Sequence, residues 1–296
     1  MINNSFKIKD NCKLEQKHIN MDSQKLISTG DFSSFEFIKE LGKGCDGIVN
    51  LVCSKDKKLF VIKEMKYLKT TKKEINALLS LRGHKNIIMC YGLFEETKLC
   101  LEYCIDGDLF DEQMKRPTYN YSIKESLDYI YQISEGVKYI HNKGIIHCDL
   151  KPENCLKGAD GNVKIADFGH SQNFEYFKTS RGGTIRYSAP EVIQKGYVDY
   201  RIDCWSIGVI LYFFITGGLP FHVLDKHGNE NIIEIKKSIN SCIYTKIIPN
   251  ENVEDIDLNI LNSFIVLIDK LLCFKEHRIS SSEIVSFLTA ELTSNF

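Results

Sequence analysis

Apolar and polar residues alternate through Phe35-Glu36-Phe37-Ile38-Lys39-Glu40, the period of a half-buried β-strand, and an apolar run resumes at Ile48-Val49-Asn50-Leu51-Val52. Between them lie the glycines of Gly42-Lys43-Gly44-Cys45-Asp46-Gly47. The pattern therefore predicts strand, turn, strand rather than the strand, turn, helix of a Rossmann unit. Such a turn can lay backbone N–H groups against phosphates because no β-carbons obstruct the approach; taken alone, it reads as a plain hairpin. Lys63 closes a third apolar run, Phe60-Val61-Ile62-Lys63. The period then changes to that of a helix in Thr71-Lys72-Lys73-Glu74-Ile75-Asn76-Ala77-Leu78-Leu79-Ser80-Leu81. A longer helix is expected from residue 122 to about 142, with Ile130, Ile133, Val137 and Ile140 on one stripe and Gly144 ending it. Residues 1 to about 34, polar and without sustained period, read as a flexible extension or, more sharply, as a docking or autoinhibitory arm.

Composition narrows the setting. With 296 residues, 43% of them hydrophobic, the chain can bury a sizeable core in one or two domains. A net charge of -1 gives no electrostatic reason to expect nucleic acid or an anionic membrane as a partner. Met1-Ile2-Asn3-Asn4-Ser5 has neither the apolar core of a secretory signal nor the glycine that myristoylation needs, and no segment is apolar enough to span a bilayer. The 11 cysteines lack paired metal-ligand spacing and are expected as reduced thiols. These features lead us to expect a cytoplasmic or nuclear protein, a monomer, with no nucleic-acid or membrane partner.

The candidate chemistry is concentrated in His147-Cys148-Asp149-Leu150-Lys151-Pro152-Glu153-Asn154 and, beyond it, Asp167-Phe168-Gly169. At this spacing one carboxylate can orient a hydroxyl nucleophile, while an amide and a second carboxylate can hold Mg²⁺ on a nucleoside triphosphate. Around them, in order, stand the G-x-G-x-x-G-x-V pattern from Gly42 to Val49, then Lys63, Ala189-Pro190-Glu191, Asp203-Cys204-Trp205-Ser206-Ile207-Gly208 and Arg278. From about residue 35 to 288 the chain resembles the eukaryotic protein kinases, and the serine/threonine type among them.

The resemblance implies an α+β, bilobal protein kinase fold: a small antiparallel β-sheet N-lobe with one αC helix and a larger, mainly helical C-lobe. It places the kinase domain at 35–290, the N-lobe at about 35–103, the C-lobe at about 108–290 and a tail at 291–296. The implied reaction transfers the γ-phosphate of ATP, with Mg²⁺, to serine or threonine hydroxyls of protein substrates. Asp149 would align the acceptor and take its proton, Lys151 would reach the γ-phosphate, and Asn154 and Asp167 would hold the metal ions. Nucleotide would be bound by Leu41, Gly42, Gly44, Gly47, Val49, Val61, Leu156 and Lys63, with Glu74 orienting the lysine. Leu101 would be the gatekeeper, and the backbone of Glu102 and Cys104 would pair with adenine. Asp108 would accept a ribose hydroxyl or a substrate cation, and a helix cap is a compatible reading for it. Glu64 competes with Glu74 for Lys63 but should point to the opposite face of its strand. His147 is expected to pack near Phe168 rather than act as a base or ligand. Lys151 favours serine/threonine acceptors, as does Thr184, at the position from which such kinases bond the catalytic Asp and Lys, and Ser188 argues against a demand for proline after the target.

Several positions depart from the family pattern. Cys148 replaces the arginine that usually precedes the catalytic aspartate, and Gln172 and Thr70 stand where other phosphate ligands are common. A phosphate on Thr179 or Ser180 would then lack its usual partners, so activity is expected not to depend on activation-loop phosphorylation. Asp46 replaces an aromatic at the glycine-loop tip, Val61 an alanine over adenine, and Phe274-Lys275 an Asp-Pro, with Arg278 still available to Glu191. Substrate signals conflict: Asp108 and Glu153 favour basic peptides, Arg181 and Arg186 acidic ones, while Phe213 replaces a further acid. Two rivals remain. A pseudokinase scaffold would typically lose Lys63, Asp149, Asn154 or Asp167, all present here. A small-molecule kinase would lack Ala189-Pro190-Glu191 and the segment from Asp203 to Gly208.

Overall fold

The computed structural model describes residues 35–44, 47–174, 183–248 and 255–295. Five antiparallel strands, β1 (Glu36–Lys43), β2 (Gly47–Cys53), β3 (Leu59–Met65), β4 (Cys90–Phe94) and β5 (Lys98–Glu102), form one sheet in the order β1-β2-β3-β5-β4. Its register decides which side chains meet. Val49 lies opposite Lys63, and Lys63 opposite Leu99; one step along, Leu51, Val61 and Leu101 form the next row. Directly paired residues share a face, and alternate residues of a strand do too. Val49, Val61, Lys63 and Leu101 therefore line one side. Val52, Phe60, Ile62 and Cys100 lie on the other side, in a separate small cluster that Phe35 and Tyr91 cover. Glu64 is exposed on that outer side, as expected from its place next to Lys63.

β1 departs from expectation. Its alternation predicts a half-buried strand, yet all eight residues are exposed, Phe37 by 62%. Among the described residues the strand pairs only with β2, and its register shifts twice, between Phe37 and Lys39 and between Glu40 and Gly42. Each shift moves the next side chain to the other face, so no face keeps the apolar set.

The sheet's inner side packs on α1 (Leu68–Ser80), which buries Ile75 and Leu78 and keeps Glu74 almost wholly buried. After α2 (Leu109–Met114) comes α3 (Ile123–Asn142). Ser122 and Glu125 cap α3 reciprocally, and Arg116 braces Glu125 with contacts of 2.7 and 2.9 Å. Ile130, Ile133, Val137 and Ile140 are fully buried along its stripe. Gly144 takes φ +72° after the helix, a backbone that favours glycine, and turns the chain into β6 (Ile145–Ile146).

β7 (Cys155–Lys157) pairs with β8 (Val163–Ile165), and β6 pairs with β9 (Gln172–Asn173). A short α4 (Pro190–Ile193) precedes α5 (Arg201–Thr216), whose residues from 202 to 214 are all buried, as befits a helix apolar on every side. Gly208 admits Leu271 and Leu272 against that helix; a β-carbon there would lie 2.8 Å from Leu271. Helices α6 (Ile232–Ser241), α7 (Asp255–Leu271) and α8 (Ser281–Asn295) complete the large lobe. The architecture is the α+β, two-lobed kinase fold. No described helix is long and apolar enough to cross a membrane, and the nine cysteines among the described residues form no disulfide.

Candidate active site

Lys63 is the first side chain to organise the site. Its ammonium lies 2.7 and 2.9 Å from the two carboxylate oxygens of Glu74 on α1 and 2.8 Å from Asp167 Oδ1. Burial works against its charge, but the two carboxylates outweigh that and raise its pKa. Asp167 shows the converse: burial favours its neutral form, yet Lys63 dominates and holds the carboxyl at about 2. Its backbone sits in the left-handed region at φ +61°, with Oδ1 accepting from Gly169 N at 3.4 Å. Asp167 is therefore a carboxylate at neutral pH.

A second group forms around Asp149, which is 7% exposed. Its Oδ1 accepts from Thr184 N at 2.8 Å and from Thr184 Oγ1 at 3.0 Å. Lys151 Nζ lies 3.1 Å from Asp149 Oδ2 and donates to Thr184 Oγ1 at 3.0 Å. The hydroxyl of Thr184 thus donates to the Asp149 carboxylate and accepts from the Lys151 ammonium. Asn154 donates its amide N–H to the Asp149 carbonyl at 2.8 Å, which turns the amide oxygen the other way. The Asn154 oxygen and the ionised Asp167 are hard oxygen donors of the kind Mg²⁺ selects, so the donor set fits that ion.

Beneath this group lies a carboxylate whose role the sequence pattern does not disclose. Asp203 is 1% exposed. Its Oδ2 accepts from His147 N at 2.8 Å and faces His141 Nε2 at 2.9 Å, while Oδ1 accepts from Cys148 N at 2.9 Å. Burial would raise its pKa, but the contact with His141 and the bond from the His147 N–H outweigh that and lower it. Cys148 has φ +69°, costly for a residue with a β-carbon, and the two bonds to Asp203 hold it there. The available signal was a lone Asp in an otherwise apolar helix, since a carboxylate there must find donors. His147 packs its ring on Phe168 at 4.9 Å, with Nε2 2.9 Å from the Ala166 carbonyl, as expected of a structural residue.

Val61 and Leu101 lie side by side on the sheet, both nearly buried, with Val49 half-buried and Leu41 exposed on β1. Gly44 N donates to Gly47 O at 2.9 Å and closes the hairpin between Gly42 and Val49. Glu102 ends β5, and Cys104 follows on the connection to the large lobe. Asp108 pairs with Leu156 through a backbone bridge, and its side chain caps α2 by accepting from Asp111 N at 2.8 Å. The helix-cap reading of Asp108 thus holds.

Arg278 reaches Glu191 at 2.6 Å, in the pairing expected for it. Arg186 instead forms an ion pair with Glu230, so its charge is already answered. The expectation that Arg186 draws acidic peptides is weakened accordingly. Phe213 is buried against Phe110, with ring centres 5.7 Å apart. Asp46, Thr179, Ser180 and Arg181 lie outside the described residues.

The family model for the protein kinase domain matches residues 35–287. An Aurora kinase of Schizosaccharomyces pombe is 36% identical over 208 residues, 65% of this chain and 57% of the relative. A calcium/calmodulin-dependent protein kinase type IV of Mus musculus is 36% identical over 241 residues, 77% of this chain and 49% of the relative. A NUAK family SNF1-like kinase 2 of Rattus norvegicus is 36% identical over 63% of this chain and 31% of its own length. The chain spans about half the length, or less, of these curated relatives. With the family model covering most of its length and the fold agreeing, the chain belongs to the protein kinase family.

Proposed function

We propose that this protein is a serine/threonine protein kinase of the non-RD kind, transferring the γ-phosphate of ATP to protein hydroxyls without needing a phosphate on its activation segment. One observation carries the reading: both halves of the machinery are assembled, Lys63 with Glu74 and Asp167, and Asp149 with Lys151 and Thr184. Asp149 orients the acceptor hydroxyl and accepts its proton, and Lys151 stabilises charge on the phosphoryl group in flight. Lys63 neutralises the α- and β-phosphates. Mg²⁺, held by Asn154 and Asp167, would screen the phosphate oxygens. Glu102 and Cys104 offer backbone groups to adenine between Val61 and Leu156. Protein substrates are the expected partners, met by a monomer in the cytoplasm or nucleus.

Independence from activation-segment phosphate is supported by Cys148, whose thiol donates to Ile146 O at 3.6 Å and carries no charge to offer. Lys73, a cation whose field reaches Cys148, donates to the Gly169 carbonyl at 3.4 Å. Gln172 lies in β9 and Thr70 on α1, neither cationic.

The test is phosphate transfer to casein by phosphatase-treated protein, with Asp149→Asn as control. Transfer by the treated protein that D149N abolishes is expected. Inertness until Thr179 or Ser180 is modified would overturn the regulatory part. Nucleotide binding without transfer under any condition would favour the scaffold instead.

A further inference from the structure

Lys164 is a lysine where none is expected: in the middle of β8, 4% exposed, surrounded by oxygens from three separate segments. Its ammonium lies 3.1 Å from the Lys85 carbonyl, between α1 and β4, 3.1 Å from Asp160 Oδ2 in the β7–β8 turn, and 3.5 Å from Glu102 Oε1 at the end of β5. Glu102 is gripped again on its other side. Its Oε2 accepts from Met89 N at 3.2 Å, and its own backbone N donates to Met89 O at 2.9 Å. Burial pushes the Glu102 carboxyl toward its neutral form, and Lys164 is the largest influence opposing that. Neighbouring backbone bonds, Ile88 N to Ile165 O at 3.0 Å and Ile165 N to Asn86 O at 2.9 Å, join the same segments.

We propose that Lys164 is a positioning residue for the nucleotide: from the large lobe it fixes Glu102, and through it the peptide groups that meet adenine. The inference rests on the reading of Glu102 and Cys104 as the adenine contacts. Without the ammonium, Glu102 is left as a half-buried carboxylate with one N–H donor, and it takes up a proton or swings further toward water. Either response loosens the end of β5. Nothing in the arrangement touches Asp149, Lys151 or Thr184, so the chemical step is left alone.

The test is a split between KM and kcat. Lys164→Met should raise the KM for Mg·ATP by about tenfold, the value of one charge-assisted bond, with kcat and the KM for casein within about twofold. Lys164→Arg should restore most of the loss. Glu102→Gln should raise the same KM, and adding K164M to E102Q should raise it little further, because the lysine acts through that carboxylate. If K164M does not fold, E102Q carries the test: an unchanged KM for Mg·ATP in that variant would overturn the proposal. An unchanged KM for Mg·ATP in K164M, a fall in kcat as large as the rise in KM, or additive effects in the double variant would each overturn the proposal. Direct binding of a fluorescent ATP analogue to the wild-type chain separates the two readings. Failure of the wild type to bind removes the nucleotide site itself and this inference with it. Binding by wild type and K164M alike removes only the role of Lys164.

Discussion

Residues 147–154 and residues 41–44 each belong to a motif, and the structure holds them by different means. The first stretch rests on buried polar groups. Asp203 grips two of its N–H groups from below, Asn154 ties back to the Asp149 carbonyl, and Leu150 is fully buried between them. Of the second stretch, Leu41, Gly42 and Lys43 end an edge strand exposed along its whole length, and Gly44 N donates to Gly47 O beyond it. On the proposed reading, groups that must present one geometry to a transferring phosphoryl are set in the core. On the same reading, groups that need only lie over a nucleotide are left on an exposed edge, which is the kind of region that opens at low free-energy cost.

Asp203→Ala should break the comparison hardest. It removes a buried carboxylate, strands the N–H groups of His147 and Cys148, and leaves Cys148 in a left-handed conformation with nothing to hold it. A loss of about 3–5 kcal/mol in urea unfolding is expected, together with loss of transfer activity. The pH dependence has a definite sign. The Asp203 pKa is lowered in the fold from its ordinary 3.8, so its contribution is fully present above that value and lost as pH falls through the folded value. The stability gap between the wild type and Asp203→Asn should therefore narrow in acid. A gap that stays constant down to the acid transition would assign the effect to packing instead.

Asp149→Asn separates chemistry from architecture within the same loop. The amide keeps an oxygen for Thr184 N and the volume of the side chain, but it cannot take a proton from an acceptor. Transfer should fall by about 10²–10⁴-fold with the melting temperature nearly unchanged. A melting shift comparable to that of D203A would mean that both carboxylates hold the loop up.

Glu74→Gln comes next in size. It weakens the grip on Lys63 without emptying the buried position, leaving Asp167 as the lysine's charged partner. A fall in kcat/KM of about 10–100-fold in steady-state assays is expected, in line with the loss of a charge-assisted bond. An unchanged kcat/KM would show that Asp167 alone suffices.

Much of this site was legible through the family resemblance, which assigns partners by position in the motifs. The pairings of Lys63 with Glu74 and of Arg278 with Glu191, and the bridge of Thr184 to Asp149 and Lys151, were all expected from their places in the motifs. The stripe on α3 was readable for a different reason, since helical periodicity is a local signal. What stayed hidden depends on non-local partners. Asp203 meets His147 across 56 positions of sequence, and Lys164 meets Lys85 across 79. In Val163-Lys164-Ile165 the lysine reads as the outward position of a strand, whereas here all three residues are buried. The exposure of β1 was hidden too, because its two register shifts come from pairing with β2 rather than from its own alternation. Arg186 read as a free cation until Glu230, 44 positions on, was found beside it.

The smallest effects should come from β1 itself, and they sharpen the comparison by separating two kinds of exposed apolar residue. Phe37 and Leu41 are 62% and 41% exposed on the same strand, so truncating either removes little buried area. Phe37→Ser and Leu41→Ala should each change stability by less than about 0.5 kcal/mol. Only Leu41 adjoins the glycine turn, and only its exposed surface would be covered by bound nucleotide. L41A should raise the KM for Mg·ATP by about fivefold, as expected for one apolar contact worth about 1 kcal/mol, while F37S leaves that KM unchanged. If both variants lowered the melting temperature by several degrees, β1 would be covered in solution, and the contrast with the catalytic loop would be one of degree. If neither altered the KM, the surface of Leu41 would not be part of the nucleotide site, and the exposed edge would need a reason other than the ligand that closes over it.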